Sequence, residues 1–230
     1  MKIFPTCLFA PDGQEADIER RVTSGGVALS GDEDVIASDG GGRVFYEIAD
    51  PYLDEPETAL AYRAVSAYLD GGVRAIIVPF CDARHQPTSG LGSVPHSDDT
   101  PFGDEGEYST QDGAGTVASA ALLRATTIVI NLIDLPRAPV GGEWLSIDHP
   151  AMRWRAYRIA EIIAQSPTQV TLSIRPPLRE AITVGQAVDF ASPRCTMRLD
   201  PNTPMRSPTM MGFADGGAFR FVEDFTGSYA

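Results

Sequence analysis

Cysteine is scarce, with 3 in 230 residues. Cys7, Cys81 and Cys195 stand far apart and are odd in number, no Cys-x-x-Cys occurs, and the 3 histidines are not clustered. The chain therefore has neither a disulfide framework nor the ligand spacing of a zinc site, and reduced, buried thiols are the expectation. Long apolar runs are missing too. Nowhere do 18 uncharged apolar residues stand together, and the amino terminus has no basic stretch leading into an apolar one. That pattern predicts a soluble protein with no membrane span and no secretory signal. Basic charge is in deficit, with 18 Lys and Arg against 31 Asp and Glu and a formal net charge of −13. Such a balance repels nucleic acid at long range and argues against sequence-specific nucleic-acid binding. A chain of this length buries roughly 70% of its unfolded surface, enough for a core without staples.

Catalytic signatures are equally thin. Cys81-Asp82-Ala83-Arg84-His85 gathers a thiol, a carboxylate and an imidazole, but a nucleophile and its base ordinarily converge from distant sequence, so a strand-to-loop exit explains these residues. No Gly-x-Ser-x-Gly occurs, and His149 precedes Pro150 in a turn, so a hydrolase triad has no anchor. Gly40-Gly41-Gly42 is not followed by a helix or by Lys-Ser/Thr, so it reads as a hairpin turn rather than a phosphate loop. His96, Asp98, Asp99, Asp104, Glu105, Glu107 and Asp112 are rich in oxygen ligands yet lack the spacing of a helix-loop-helix calcium site. No rigid element sets two of them at the gap that glycoside hydrolysis needs. The sequence thus predicts no enzyme, no catalytic, cofactor-binding or metal residues, and no cofactor.

What is present is β structure. Glu143–Asp148, Arg155–Ile163 and Gln169–Arg175 form three linked strands, the last ended by Pro176-Pro177, which is expected to protect a sheet edge. Further strands are expected at Phe4–Ala10, Val27–Ser30, Val35–Ser38, Arg43–Ile48, Val73–Phe80, Arg124–Ile133 and Ala218–Phe225. Val73–Phe80 is continuously apolar, as a strand buried on both faces is. One helix is predicted over about 55–69, with Leu60, Ala61, Ala64, Val65, Tyr68 and Leu69 at helical spacing, Asp54 as N-cap, Glu57 three residues on, and Gly71-Gly72 at the far end. Residues 82–115 lose all periodicity and form a long irregular loop, the expected contact region. The fold class is therefore mainly β, a β-sandwich or β-barrel with one packed α-helix and that loop. The expected division is an amino-terminal β-rich part, 1–115, and a carboxy-terminal barrel or sandwich part, 116–230. Arg153, Arg155 and Arg158 are expected on a solvated or interface face, and Trp144 and Trp154 as core or interface anchors, with a sugar-stacking platform as the alternative.

A family resemblance rests on Ser173-Ile174-Arg175-Pro176-Pro177-Leu178-Arg179-Glu180-Ala181, then Phe190, Pro193, Cys195-Thr196-Met197-Arg198-Leu199 and Phe221-Val222-Glu223-Asp224-Phe225. Trp144-Leu145-Ser146-Ile147 with Tyr157-Arg158-Ile159, the Ser30 to Arg43 segment, Val78-Pro79-Phe80-Cys81-Asp82 and His96 to Phe102 add to it. In these pieces the chain resembles minor tail proteins of long-tailed, siphovirus-type bacteriophages, of the distal-tail or baseplate type. Phe4 to Arg21 matches nothing in that pattern, so no tube-facing contact is carried over to it. The resemblance implies a β-sandwich or barrel in a homo-oligomeric ring at the tail tip, a hexamer or else a trimer. Its partners would be the tail tube, hub or baseplate and tape-measure proteins, its place the virion after synthesis in the host cytoplasm, and it has no catalytic residues. A carbohydrate-binding module contacting the host surface is the alternative, and a hydrolase the third class. Acidic side chains lining a DNA channel would let the duplex slide without sticking.

Overall fold

The computed structural model describes residues 1–230 except 10, 21, 38–39, 54, 81–92, 95–107, 110–112, 134, 136, 207–208, 211–212 and 227–230. Strand makes up 48% of the chain, so the fold is mainly β. Two compact units divide it: unit 1 is Met1–Cys81 with Cys195–Ala230, and unit 2 is Asp82–Arg194. The expected division at 115/116 does not coincide with these units. Unit 1 is discontinuous because its sheet is completed by strands from the carboxy terminus, a pairing that no local pattern announces.

Unit 1 begins with β1 (Gly13–Glu19), β2 (Val22–Val27), β3 (Glu33–Ala37), β4 (Arg43–Ala49), β5 (Tyr52–Leu53), α1 (Pro56–Leu69) and β6 (Ile76–Pro79). Unit 2 contributes β7 (Ser93–Val94), β8 (Tyr108–Ser109), β9 (Ala114–Val117), β10 (Thr127–Ile133), β11 (Trp144–His149), β12 (Arg153–Gln165), β13 (Gln169–Arg175) and β14 (Ala187–Asp189). The chain returns to unit 1 along β15 (Arg194–Leu199), then β16 (Thr209–Met210), β17 (Phe213–Asp215) and β18 (Phe219–Glu223).

The main sheet of unit 1 has the order β1-β4-β18-β15-β6. β4 alternates as its sequence predicts, with Val44, Tyr46 and Ile48 buried and Arg43, Phe45 and Glu47 half-buried. β18 is the closing strand foreseen at the carboxy terminus, and it lies in mid-sheet, with Phe221 opposite Tyr46 on β4 and Leu199 on β15. On the inner face Phe4, Phe9, Tyr62, Phe219 and Phe221 make an aromatic cluster, with Phe4–Phe221 centroids 4.8 Å apart and Tyr62–Phe219 5.8 Å. Each such ring contributes on the order of 1.5–3 kcal/mol through burial. The strand expected at Phe4–Ala10 does not form over the described residues 4–9: the chain bridges β6 at Ile3 opposite Ile77, then turns through a 3-10 segment at Thr6–Leu8, and Ala10 lies outside the described residues. Pro5 removes a ladder donor there, and the turn carries both Phe4 and Phe9 inward.

The helix is where the spacing predicts it, but its N-cap is Glu55, without a side-chain cap, followed by Pro56 at the first helical position. The predicted cap, Asp54, lies outside the described residues. At the far end Asp70 adopts left-handed φ (49°), and Gly71 (63°) and Gly72 (98°) follow. A Cβ on Gly72 would stand 2.3 Å from the Leu199 carbonyl oxygen, so only glycine lets the helix end pass over β15. Val73–Phe80 shortens to β6, whose Ile76, Ile77 and Val78 are all buried, as a strand covered on both faces requires.

Unit 2 is built on a closed six-stranded barrel, β10-β13-β12-β11-β14-β9. The three linked strands of the sequence are its antiparallel β11, β12 and β13, with Leu145 opposite Tyr157 and Ile159 opposite Ile174. Ile128, Ile130, Leu145, Ile147, Tyr157, Leu172 and Phe190 are among the residues that fill the interior. Gly115 on β9 faces the Asn131 carbonyl oxygen and Ile130 Cγ2, each 2.9 Å from where a Cβ would sit, so its missing side chain permits closure. β13 does end at Arg175, but it pairs with β10 and β12 on its two sides, so Pro176-Pro177 guards no edge. β10 starts at Thr127 because Arg124 sits at φ 66° in the preceding turn. Of the expected irregular loop, β7 and β8 pair with each other and Ala114 already belongs to β9; the remainder of 82–112 lies outside the described residues.

Candidate functional site

Two features of unit 1 stand out once the sheet is assembled. The first is an arm. β1 and β4 pair from Gly13 opposite Ala49 to Glu19 opposite Arg43, and the intervening residues 20–42 carry a separate hairpin of β2 and β3. The strand expected at Val27–Ser30 is displaced: β2 ends at Val27, and Ala28 N donates to the Asp32 carbonyl oxygen at 2.8 Å to make the turn. Gly40–Gly42 does not turn a hairpin between β3 and β4, since these strands pair with β2 and β1 respectively. Gly42 instead lets the returning chain close on β1, where a Cβ would stand 2.5 Å from the Glu19 carbonyl oxygen.

Every residue of β2 is exposed, and so are the large apolar side chains of the hairpin: Val22 50%, Val27 70%, Leu29 112%, Val35 60% and Ile36 58%. A two-stranded ribbon alone is marginal in water, and apolar side chains on it gain nothing until something covers them. The hairpin also carries Asp32, Glu33 and Asp34 in succession, all exposed.

The second feature is a cleft of about 700 Å³ on the outer side of the sheet, lined by Arg43, Arg198 and Arg220 together with Glu19 and Asp200. The arginines come from β4, β15 and β18, which are adjacent. Each guanidinium is partly held: Arg43 Nε donates to the Glu223 carbonyl oxygen at 3.1 Å, Arg198 Nε lies 3.6 Å from Asp224 Oδ1, and Arg220 Nη2 lies 3.6 Å from Glu19 Oε2. Arg220 also stacks 3.9 Å above the Phe45 ring centroid, and its buried Nε has no hydrogen-bond partner among the described residues. Glu19, Asp200 and Asp224 balance the three guanidinium groups, so the cleft is a mixed-charge surface whose arginines are already drawn to carboxylates of the same chain. Sequence reading missed it. Each arginine is simply the outward residue of an alternating strand, and only the strand order unites them.

Among the described residues of unit 2, those singled out from sequence do not converge on a reaction centre. His149 is buried in the barrel, with Nε2 2.8 Å from the Tyr157 hydroxyl, which also accepts the Arg179 amide N–H at 3.1 Å. Burial first, and the Arg155 charge second, lower its pKa to about 4, so the imidazole is neutral above that. Arg153, Arg155 and Arg158 do not share a solvated face: Arg153 is exposed, Arg155 is fully buried in the barrel, and Arg158 lies over Trp144 at 4.6 Å. Trp144 is 6% exposed, and Trp154 is covered by Arg194 at 4.6 Å, so both act as anchors inside unit 2 rather than as an open stacking platform.

Cys195 is a buried thiol outside any disulfide among the described residues, its Sγ 3.7 Å from the Thr196 carbonyl oxygen. Cys81-Asp82-Ala83-Arg84-His85 and the set of His96, Asp98, Asp99, Asp104, Glu105, Glu107 and Asp112 lie outside the described residues. Among the described residues no three His, Cys, Asp or Glu side chains are grouped to hold a metal ion, and no helix is long and apolar enough to cross a membrane. No family model matches the chain, and no curated protein matches it.

Proposed function

We propose that this protein is a structural component of a long-tailed phage tail tip, of the distal-tail type, which forms a closed ring joining the tail tube to the hub or baseplate. The observation that carries the reading is the β2–β3 arm, whose exposed Val22, Val27, Leu29, Val35 and Ile36 are left uncovered by the described residues. A function exercised through surfaces needs such an element. The resemblance in Ser173 to Ala181 and in Cys195 to Leu199 supports the same reading. A contact between unlike surfaces of successive copies closes into a ring or runs on as a filament, and a ring stacked on a tube requires closure. Six copies are the proposed number, with three as the other possibility. The tube protein, the hub or baseplate proteins and the tape-measure protein are the proposed partners, and the virion its place.

Co-expression with the tube protein encoded beside it tests the reading. Coaxial rings capping tubes in negative-stain images are the expected result. Tubes with no ring, together with a chain that remains a monomer, would refute it.

A further inference from the structure

We infer that the acidic tip of the β2–β3 arm seats on Lys2, Tyr68 and Arg74 of a second copy of this chain, at the far edge of that copy's main sheet. The inference rests on the ring proposed above and names the two surfaces that meet in it. Lys2 Nζ stands 4.3 Å from the centre of the Tyr68 ring and Arg74 Cζ stands 5.3 Å from it, so two cations share one aromatic ring. Both are exposed, and neither forms an ion pair among the described residues. Asp70 is the acid nearest to Tyr68 and Arg74 in sequence, which leaves this patch one positive charge in excess. Ile3 and Val73, neighbours of the two cations in the chain, are exposed apolar side chains.

The arm carries the opposite set. Asp32, Glu33 and Asp34 are exposed, and none of them forms an ion pair among the described residues. The β2–β3 register shifts between Ser24 and Val27, and this bulge aims the strand around a hollow of about 500 Å³. Gly25 to Ala28 form one wall of the hollow and the three acids the other. A long basic side chain suits such a space, with its apolar stem along Val27 and its charged head at the carboxylates. Cations without carboxylates on one surface thus meet carboxylates without cations on the other, while Val27 and Leu29 gain cover from Ile3 and Val73.

Geometry makes the contact intermolecular. The arm springs from β1 and β4 at one side of the sheet β1-β4-β18-β15-β6, and the patch lies beside β6 at the other, where Ile77 N donates to the Lys2 carbonyl oxygen at 3.0 Å. Four strand spacings set these edges roughly 20 Å apart, and the arm tip stands about ten residues, roughly 30 Å, beyond its base. The side chains of the arm stay exposed, so its tip does not rest on the patch of its own copy. Copies set side by side bring the arm edge of one against the β6 edge of the next. Because arm and patch are different surfaces, the contact is head-to-tail and repeats from copy to copy.

The test is a charge swap in the full-length chain, read by sedimentation velocity. Asp32→Lys with Glu33→Lys and Asp34→Lys alters only exposed positions of the arm and is expected to weaken self-association about tenfold or more. Lys2→Glu with Arg74→Glu is expected to do the same. A chain carrying both reversals again has opposite charges at the two surfaces, and its self-association is expected to return. Recovery in that chain supports the pairing. Self-association untouched by either reversal, or lost in both and not recovered in the combined chain, overturns the pairing while leaving the ring intact. Should a Glu variant fail to fold, Lys2→Met with Arg74→Met keeps the apolar stems against Tyr68 and carries the test. Weaker association that arm reversal barely lowers further then supports the pairing, and losses that simply add overturn it. A wild-type chain that never self-associates overturns the ring as well. Binding of a short single-stranded DNA that Lys2→Met with Arg74→Met abolishes, with self-association unchanged, assigns the patch to phosphates and overturns the inference.

Discussion

Glu19 and Arg43 face each other at the last register position of β1 and β4, so the chain leaves the sheet and re-enters it at one point. Everything between them is an excursion that the sheet does not need. Replacing residues 20–42 by a two-residue Asn-Gly turn should therefore leave unit 1 folded, with stability raised by about 2 kcal/mol, because closure entropy costs about 0.6 kcal/mol less for each halving of the loop. Self-association should disappear. Circular dichroism and chemical denaturation check the first expectation, and sedimentation the second.

The end of α1 supplies a sharper test of packing. Gly71 and Gly72 both have positive φ, but a Cβ on Gly71 meets nothing within 4 Å, whereas one on Gly72 meets the Leu199 carbonyl oxygen at 2.3 Å. Gly71→Ala should cost about 1 kcal/mol, from conformation alone. Gly72→Ala should cost about 2–4 kcal/mol, because backbone must also move. Equal losses in urea denaturation would show that β15 does not constrain the helix end.

Tyr62 is fully buried among Phe9 and Phe219, and its hydroxyl has no hydrogen-bond partner among the described residues. Burial raises the pKa of this phenol, which keeps it neutral and leaves a donor unsatisfied. Tyr62→Phe keeps the ring and removes the orphan, so stability should rise by about 1 kcal/mol. A fall of similar size in thermal denaturation would mean that the hydroxyl has an acceptor.

His149 makes barrel stability depend on pH. Its folded pKa is lowered to about 4 from the ordinary 6.5, so as pH falls the unfolded chain takes up the proton first. The stability contribution is complete above about pH 6.5 and is lost progressively down to about pH 4, about 3 kcal/mol in all. His149→Gln, though weaker at neutral pH for losing the Tyr157 contact, should show a shallower decline over that interval. Parallel curves for the two chains would assign the acid sensitivity elsewhere.

Much of this architecture is legible in the sequence, and what is not has physical reasons. Val44, Tyr46 and Ile48 announce β4 by alternation, and the helix of 56–69 by its spacing, because a single face or stripe must be buried. Strand order is a different matter. Phe221 meets Tyr46 across some 175 residues of chain, and nothing local in either strand names the other. The arm misleads by the same logic, since Val35 and Ile36 read as core residues in a chain taken alone. Arg155 shares its face of β12 with Tyr157 and Ile159, and alternation alone would have placed it inside. The general rule that arginine seeks water overrides that parity in a sequence reading. The three cleft arginines come from strands distant in sequence and become a site only when β4, β18 and β15 lie side by side.

The central claim is that the protein works as a closed ring of copies, and native mass spectrometry of the full-length purified chain tests it most directly. The account predicts a single assembly of six copies, or of three, with no open-ended series of larger species. A chain that stays a monomer at every concentration, or that forms a continuous ladder of oligomers, would contradict it.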